Sequence, residues 1–229
     1  MPSPLPHHFD NFEFYDVEIK YGLLQISEGL SFLHNDVKML HRNLSPENII
    51  INKNGAWKIS GFDFCILAKS SNETPLKFNP LNLINCNDVP PMALPNFDYV
   101  APEFLEKNYE FVETSADMFS LGALTYTLYN KGTALLPTNS LINYSRFNQL
   151  KKLPQSTYNC IPEDSRNHIK LLLSVDPNLR PDAVQFSKLH FFEDILVKTL
   201  QYLDALFQWD NLHKSHFYKS NQSKITLIF

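Results

Sequence analysis

Six prolines (Pro75, Pro80, Pro90, Pro91, Pro95 and Pro102) fall between Asp63 and Pro102, and no long helix or central strand runs through such a stretch. A loop of that length inside a compact domain is either functional or disordered. Whatever this chain folds into must therefore be held together by the segments on either side. Upstream, Ile19, Leu23, Ile26, Leu30 and Leu33 recur at helical spacing and form one apolar stripe from Glu18 onward. Gly29 weakens that helix by about 1 kcal/mol relative to alanine and points to close packing there. A polar turn, His41 to Asn48, precedes two β-rich runs, Ile49–Ile51 and Trp57–Ile59, joined through Asn54-Gly55. That pattern predicts a hairpin, with the Asn-Gly pair suited to the positive φ of a type I′ turn.

Downstream, Thr114 or Ser115 is placed to cap a helix through Met118, Leu121, Leu124, Thr125 and Leu128, with Gly132 just past its end. A second helix starts near Pro162 and carries Ile169, Leu172 and Leu173 to a stop at Asp176-Pro177. A third, short helix has Pro181 in its first turn and runs through Val184 and Phe186. Residues 194–209 form a last amphipathic stretch, with Ile195, Leu196, Leu200, Leu203, Leu206 and Phe207 on its apolar side. The expected class is mainly α, with one short β-hairpin and one long loop.

Composition bounds the function. At 229 residues and 44% apolar side chains the chain makes one domain, or one domain and an appendage. The net charge of −4 and the lack of any run of Lys and Arg argue against nucleic acid as a partner. Three cysteines, Cys65, Cys86 and Cys160, suggest neither a disulfide framework nor a zinc site. The first residues have no basic and no apolar region of a secretory signal, and no stretch approaches 18 uninterrupted apolar residues. A soluble, cytoplasmic protein is expected.

Several motifs fall in order along this frame. His41-Arg42-Asn43-Leu44-Ser45-Pro46-Glu47-Asn48 resembles the catalytic loop H-R-D-L-x-x-x-N of protein kinases. Ala101-Pro102-Glu103 matches the A-P-E that closes their activation segment. Asp117-Met-Phe-Ser-Leu-Gly122 resembles the start of the family's buried central helix, and Arg180-Pro181 its late arginine. The finer wording of Tyr21–His34, Gly55–Phe64 and Thr199–Leu212 is similar to the Scy-like pseudokinases, in their coated-vesicle-associated branch. The resemblance implies a kinase-like C-terminal lobe, its central loop being the activation segment. The implied layout is a flexible lead-in over 1–14, the lobe over 15–194, a helical extension toward a helical-repeat region over 195–218, and a tail over 219–229.

The departures bear on chemistry. A kinase uses the catalytic-loop aspartate to accept and orient the substrate hydroxyl. Here that position is Asn43, which carries no charge and takes up no proton near neutral pH. Its expected use is to brace the loop, together with His41 and Arg42. Asn48 could ligate a metal in the family manner or serve as a second bracing amide. The D-F-G position reads Gly61-Phe62-Asp63, so magnesium loses a hard oxygen ligand. Asp63 would replace it only after a backbone slip, since in an extended chain it lies about 6.6 Å from residue 61. Phe62 is expected to remain a packing residue. No three of the six glycines cluster into a phosphate loop, and Val17-Glu18-Ile19-Lys20 lies too close to His41 to be the strand bearing the phosphate-binding lysine. The expectation is therefore a C-terminal lobe without an N-terminal lobe, binding neither ATP nor Mg²⁺, with no other metal site.

The structural residues look retained. The resemblance implies that Glu103 pairs with Arg180 and that Asp117 accepts N–H bonds from the catalytic loop. Arg42 could meet a phosphate on Ser70, Ser71 or Thr74, although a plain internal hydrogen bond is expected. His34 and His168 read as core or surface histidines rather than ligands. The leading functional reading is a non-catalytic scaffold in clathrin and endosome vesicle traffic. The resemblance implies clathrin or adaptor proteins as partners, peripheral membrane association, and a location on coated vesicles, endosomes or Golgi membranes. A weak or atypical ATP-dependent Ser/Thr kinase and a truncated non-functional isoform or fragment remain as alternatives.

Overall fold

A computed structural model describes residues 3–4, 14–70, 75–79, 94–105, 110–137, 147–150, 152–206 and 215. The apolar stripe beginning near Glu18 becomes helix α1 (Asp16–Phe32), which continues into a π turn, Leu33–Val37. Ile19, Leu23, Ile26, Leu30 and Leu33 are all buried. The hairpin forms from β3 (Ile49–Ile51) and β4 (Trp57–Ile59), antiparallel in the register Ile51 with Trp57.

Its turn differs from the expected type I′. Gly55 alone has positive φ (80°), and the Asn52 N–H donates to Ala56 O at 3.0 Å. This is a three-residue connection with glycine in the left-handed position, held by the Asn52 side chain accepting from the N–H groups of Asn54 and Ala56. The lead-in also differs from expectation: the backbone of β1 (Ser3–Pro4) adds to β3 as a third antiparallel strand.

The proline-rich middle carries more order than its composition suggests. Strand β2 (Met39–Leu40) pairs with β5 (Ile66–Leu67), and Phe78, fully buried, bridges to Val112. Residues 71–74 and 80–93 of the expected loop lie outside the described residues. Helix α2 (Ser115–Tyr129) is buried on all sides through its first three turns, not along one stripe, and so forms the centre of the fold. Neither Thr114 nor Ser115 caps it through its side chain. Gly132, at φ 81°, ends it by donating to Thr127 O.

Helix α4 (Glu163–Leu172) packs on α2 and Phe147 of α3 (Phe147–Leu150) meets Phe119 edge-on, while α5 (Ala183–Ser187) and α6 (Ile195–Leu206) pack against α1. Pro181 falls just outside α5, which is capped instead by reciprocal bonds between Asp182 and Gln185. The apolar side read for α6 is buried only in part: Val197, outside that reading, is fully buried and Leu200 half-buried, while Ile195, Leu196 and Leu203 are exposed. The side chains of Leu206 and Phe207 lie outside the described residues.

Helix α1 is seated on the hairpin at a glycine. A Cβ on Gly22 would fall 2.2 Å from the Trp57 ring, and one on Gly29 would meet Ile59 at 3.0 Å. Gly29 marks the close packing read from the sequence; Gly22 marks a closer one. Lys20, in the Val17–Lys20 string, is buried in α1 and paired with Asp16 at 2.8 Å and Asp164 at 3.7 Å. Gly22→Ala should lower stability by about 1–3 kcal/mol, the usual cost of overpacking. Urea unfolding measures it, and an unchanged midpoint would mean that α1 does not rest on Trp57.

Candidate functional site

The site is organised by one buried carboxylate. Asp117, in the first turn of α2, accepts from the N–H of His41 (2.8 Å, Oδ2) and of Arg42 (2.8 Å, Oδ1). His34 Nε2 lies 3.0 Å from the same Oδ2. These two backbone bonds hold Arg42 at φ +66°, a left-handed conformation that costs a non-glycine residue about 1 kcal/mol or more. Burial alone would push the Asp117 carboxyl up, but His34, His41 and the backbone donors hold it below the ordinary carboxylate range. The His41 imidazole is pushed below its ordinary value by burial, and its Nε2 lies 2.9 Å from Ser60 O.

The loop pinned in this way turns its amides inward. Asn43 Oδ1 accepts from the N–H of Asn96 at 3.0 Å, where a kinase would present a carboxylate to substrate. Asn96 Nδ2 donates to Glu47 Oε1 at 2.7 Å, so one residue of the long segment grips the loop twice. Asn48 Nδ2 donates to Asn43 O at 2.7 Å and to Ser45 Oγ at 3.3 Å. Its Oδ1 faces Gly61: a Cβ there would lie 2.0 Å from that oxygen. Gly61 is at φ +71°, so an aspartate at this position would have to displace Asn48 as well as accept a strained backbone.

Residues 62–64 are not extended, as the distance argument for Asp63 assumed, but form a 3₁₀ turn. Asp63 is exposed on it. Phe62 differs from a core residue: it is 48% exposed and sets its ring edge-on to His41 at 5.2 Å. Arg42 Nε donates to Phe64 O, an internal bond; Ser71 and Thr74 lie outside the described residues. Among the described residues no group of three or more His, Cys, Asp or Glu side chains is placed to hold a metal ion.

Glu103 and Arg180 meet in a buried bidentate pair, NH1 to Oε1 at 2.6 Å and NH2 to Oε2 at 2.9 Å. Arg180 also donates to Ser174 O and Ser115 O and stacks on Phe119 at 5.0 Å. The pair thus ties the end of the long segment to the start of α2. His168, on α4, takes no part in this site. Sequence reasoning missed Asn96 altogether, although Pro95-Asn96 is a turn signal. It also left His34 as an ordinary histidine, and nothing in the spacing marked it as a partner of Asp117.

A helical lobe built around a buried α2, a loop pinned by its aspartate and a Glu–Arg pair closing the activation segment define a kinase domain. The chain matches the protein kinase domain over residues 6–192 and belongs to that family. Within it, the chain is similar to SCY1-like protein 2 of Homo sapiens, with 49% identity over 96% of this chain. It is also similar to the protein kinase-like protein SCY1 of Saccharomyces cerevisiae (31% identity, 88% of this chain). A third relative is the probable inactive serine/threonine-protein kinase scy1 of Dictyostelium discoideum (28%, 93% of this chain). These similarities support a Scy-like pseudokinase. The chain spans 24%, 25% and 23% of these relatives, about a quarter of their length.

Two measurements check this geometry. Glu103→Ala and Arg180→Ala should each cost roughly 3–5 kcal/mol by orphaning a buried charge, and the double variant less than their sum. Strict additivity in chemical unfolding would mean that the pair is not formed. His41, depressed in the folded state, contributes stability that is full above about pH 6.5 and lost as pH falls below it. Asp117, also depressed, contributes stability that is lost only below about pH 4. A His41→Gln variant should therefore lose less stability than the wild type between pH 7 and 5, and an identical slope would refute the assignment.

Proposed function

We propose that this chain is a catalytically degenerate kinase C-terminal lobe that acts by presenting surfaces to protein partners. The observation that carries this reading is that the catalytic-loop position is an amide already engaged: Asn43 Oδ1 takes the Asn96 N–H. Beside it, Gly61 offers no ligand and Asn48 is turned onto the loop. In this reading His41, Arg42, Asn43 and Asn48 brace, Gly61 and Asp63 are remnants of a cofactor site, and Glu103, Asp117 and Arg180 hold the scaffold. ATP and Mg²⁺ are not cofactors. The Dictyostelium relative, whose name calls it a probable inactive kinase, supports the loss of chemistry.

The setting is clathrin and endosome vesicle traffic, with clathrin or adaptor proteins as partners and a cytoplasmic location on coated vesicles, endosomes or Golgi membranes. That part rests on the resemblance to the coated-vesicle-associated branch. It accords with there being no helix among the described residues long and apolar enough to cross a membrane.

Removal of one preorganised charged group costs about 10²–10³ in rate. With Asn43 and Gly61 in place, no transfer of labelled phosphate to a generic substrate is expected, and millimolar MgATP should leave the melting temperature unchanged. A rise of several degrees, or label transfer abolished by Asp63→Ala, would overturn the pseudokinase reading. Failure of purified clathrin and adaptor complexes to bind the immobilised chain would overturn the trafficking role alone.

A further inference from the structure

Helix α6 is attached to the lobe in a way no other described helix is. Of its apolar side chains whose burial is described, Val197 alone is fully buried, while Ile195 (50%), Leu196 (38%) and Leu203 (41%) face outward. Its first turn is capped by Asp194, whose Oδ1 accepts from Leu196 N–H at 2.7 Å and whose O accepts from Lys198 N–H at 3.0 Å. Its far end is held by polar contacts: Asp204 Oδ2 accepts from the Tyr21 hydroxyl and from Gln25 Nε2 (3.3 Å) on α1. Burial and the neighbouring Asp204 carboxylate push the Tyr21 phenol above its ordinary value, which keeps it a donor.

Beside that end a cavity opens between α6, α1 and the hairpin. Gln201, Asp204 and Ala205 form one wall of this cavity of about 660 Å³, whose other walls include Gly29, Ile59 and Phe62. A helix seated by one buried valine and a half-buried Leu200, and clasped across a cavity at its far end, has little apolar burial to hold it. Roughly 25 cal/mol per Å² of buried apolar area is what normally fixes a helix to a core. Local opening concentrates in elements so attached.

We propose that α6 is a releasable strap, hinged at Asp194 and latched by Asp204 on Tyr21 and Gln25, whose opening uncovers the cavity between α1 and the hairpin. Gln25 links the latch to the lobe, because its Oε1 accepts from the Trp57 N–H at 2.8 Å while its Nε2 reaches Asp204. The opening is independent of any catalytic residue.

Hydrogen exchange read by mass spectrometry on the whole chain tests it, comparing the wild type with Tyr21→Phe and Asp204→Ala. In both variants the α6 amides should exchange about tenfold faster or more, the factor set by losing one hydrogen bond to a charged group. Protection of α1, α2, α4 and the hairpin should not change. Unchanged α6 exchange in both variants would overturn the latch. Loss of protection throughout the lobe in both would show that α6 is part of the core, and an α6 unprotected in the wild type would show that no latch closes.

Discussion

The Asp117 carboxylate is the contact on which the rest of the site depends. Two successive backbone N–H groups and one histidine converge on it inside the protein. Without those two bonds nothing evident would hold Arg42 in the left-handed region, and the loop would relax toward an ordinary turn. The direction of Asn43 and Asn48 follows from that backbone. The same carboxylate joins three separate pieces of chain: the end of α1, the loop and the head of α2. A buried charge is tolerated at such a point because every donor around it is aimed at it.

What changed in this lobe is the use of the loop, while its frame stayed the same. In a kinase the loop presents oxygen atoms outward to a hydroxyl and a metal. Here the amides of Asn43, Asn48 and Asn96 bond to one another's backbone and to Glu47. Each side chain has both a donor and an acceptor, so amides close a network that carboxylates would leave repelling. The site is therefore a set of braces tying the long segment to the loop.

Much of this was legible in the sequence because it rests on local rules. The stripe of α1 and the hairpin follow period and turn chemistry, and Glu103, Asp117 and Arg180 stand in motifs of fixed wording. The parts that could not be read depend on who faces whom. The type of the Asn54-Gly55 turn was set by Asn52, a residue outside the dipeptide. Helix α2 is buried all round, so its stripe was only part of its apolar contact. For α6 the hydrophobic pattern caught Leu200 but missed the buried centre of the face, because Val197 and Asp204 choose the side that meets α1. Asn96 had no motif to mark it; only the folded segment brings it to Asn43.

The Glu103–Arg180 pair also sets a timetable for synthesis. The two residues are 77 apart in the chain. At about 5–20 residues per second, Arg180 leaves the ribosome roughly 4–15 seconds after Glu103. During that interval the glutamate stays solvated and the end of the long segment lacks its ion-pair fastening, with Asn96 already free to grip the loop. The lobe can collapse around α1 and the hairpin early, but it cannot lock until nearly all of it has emerged. A ribosome that stalls between these two positions would display an unlocked lobe, with its apolar interior open to chaperones and to neighbouring nascent chains.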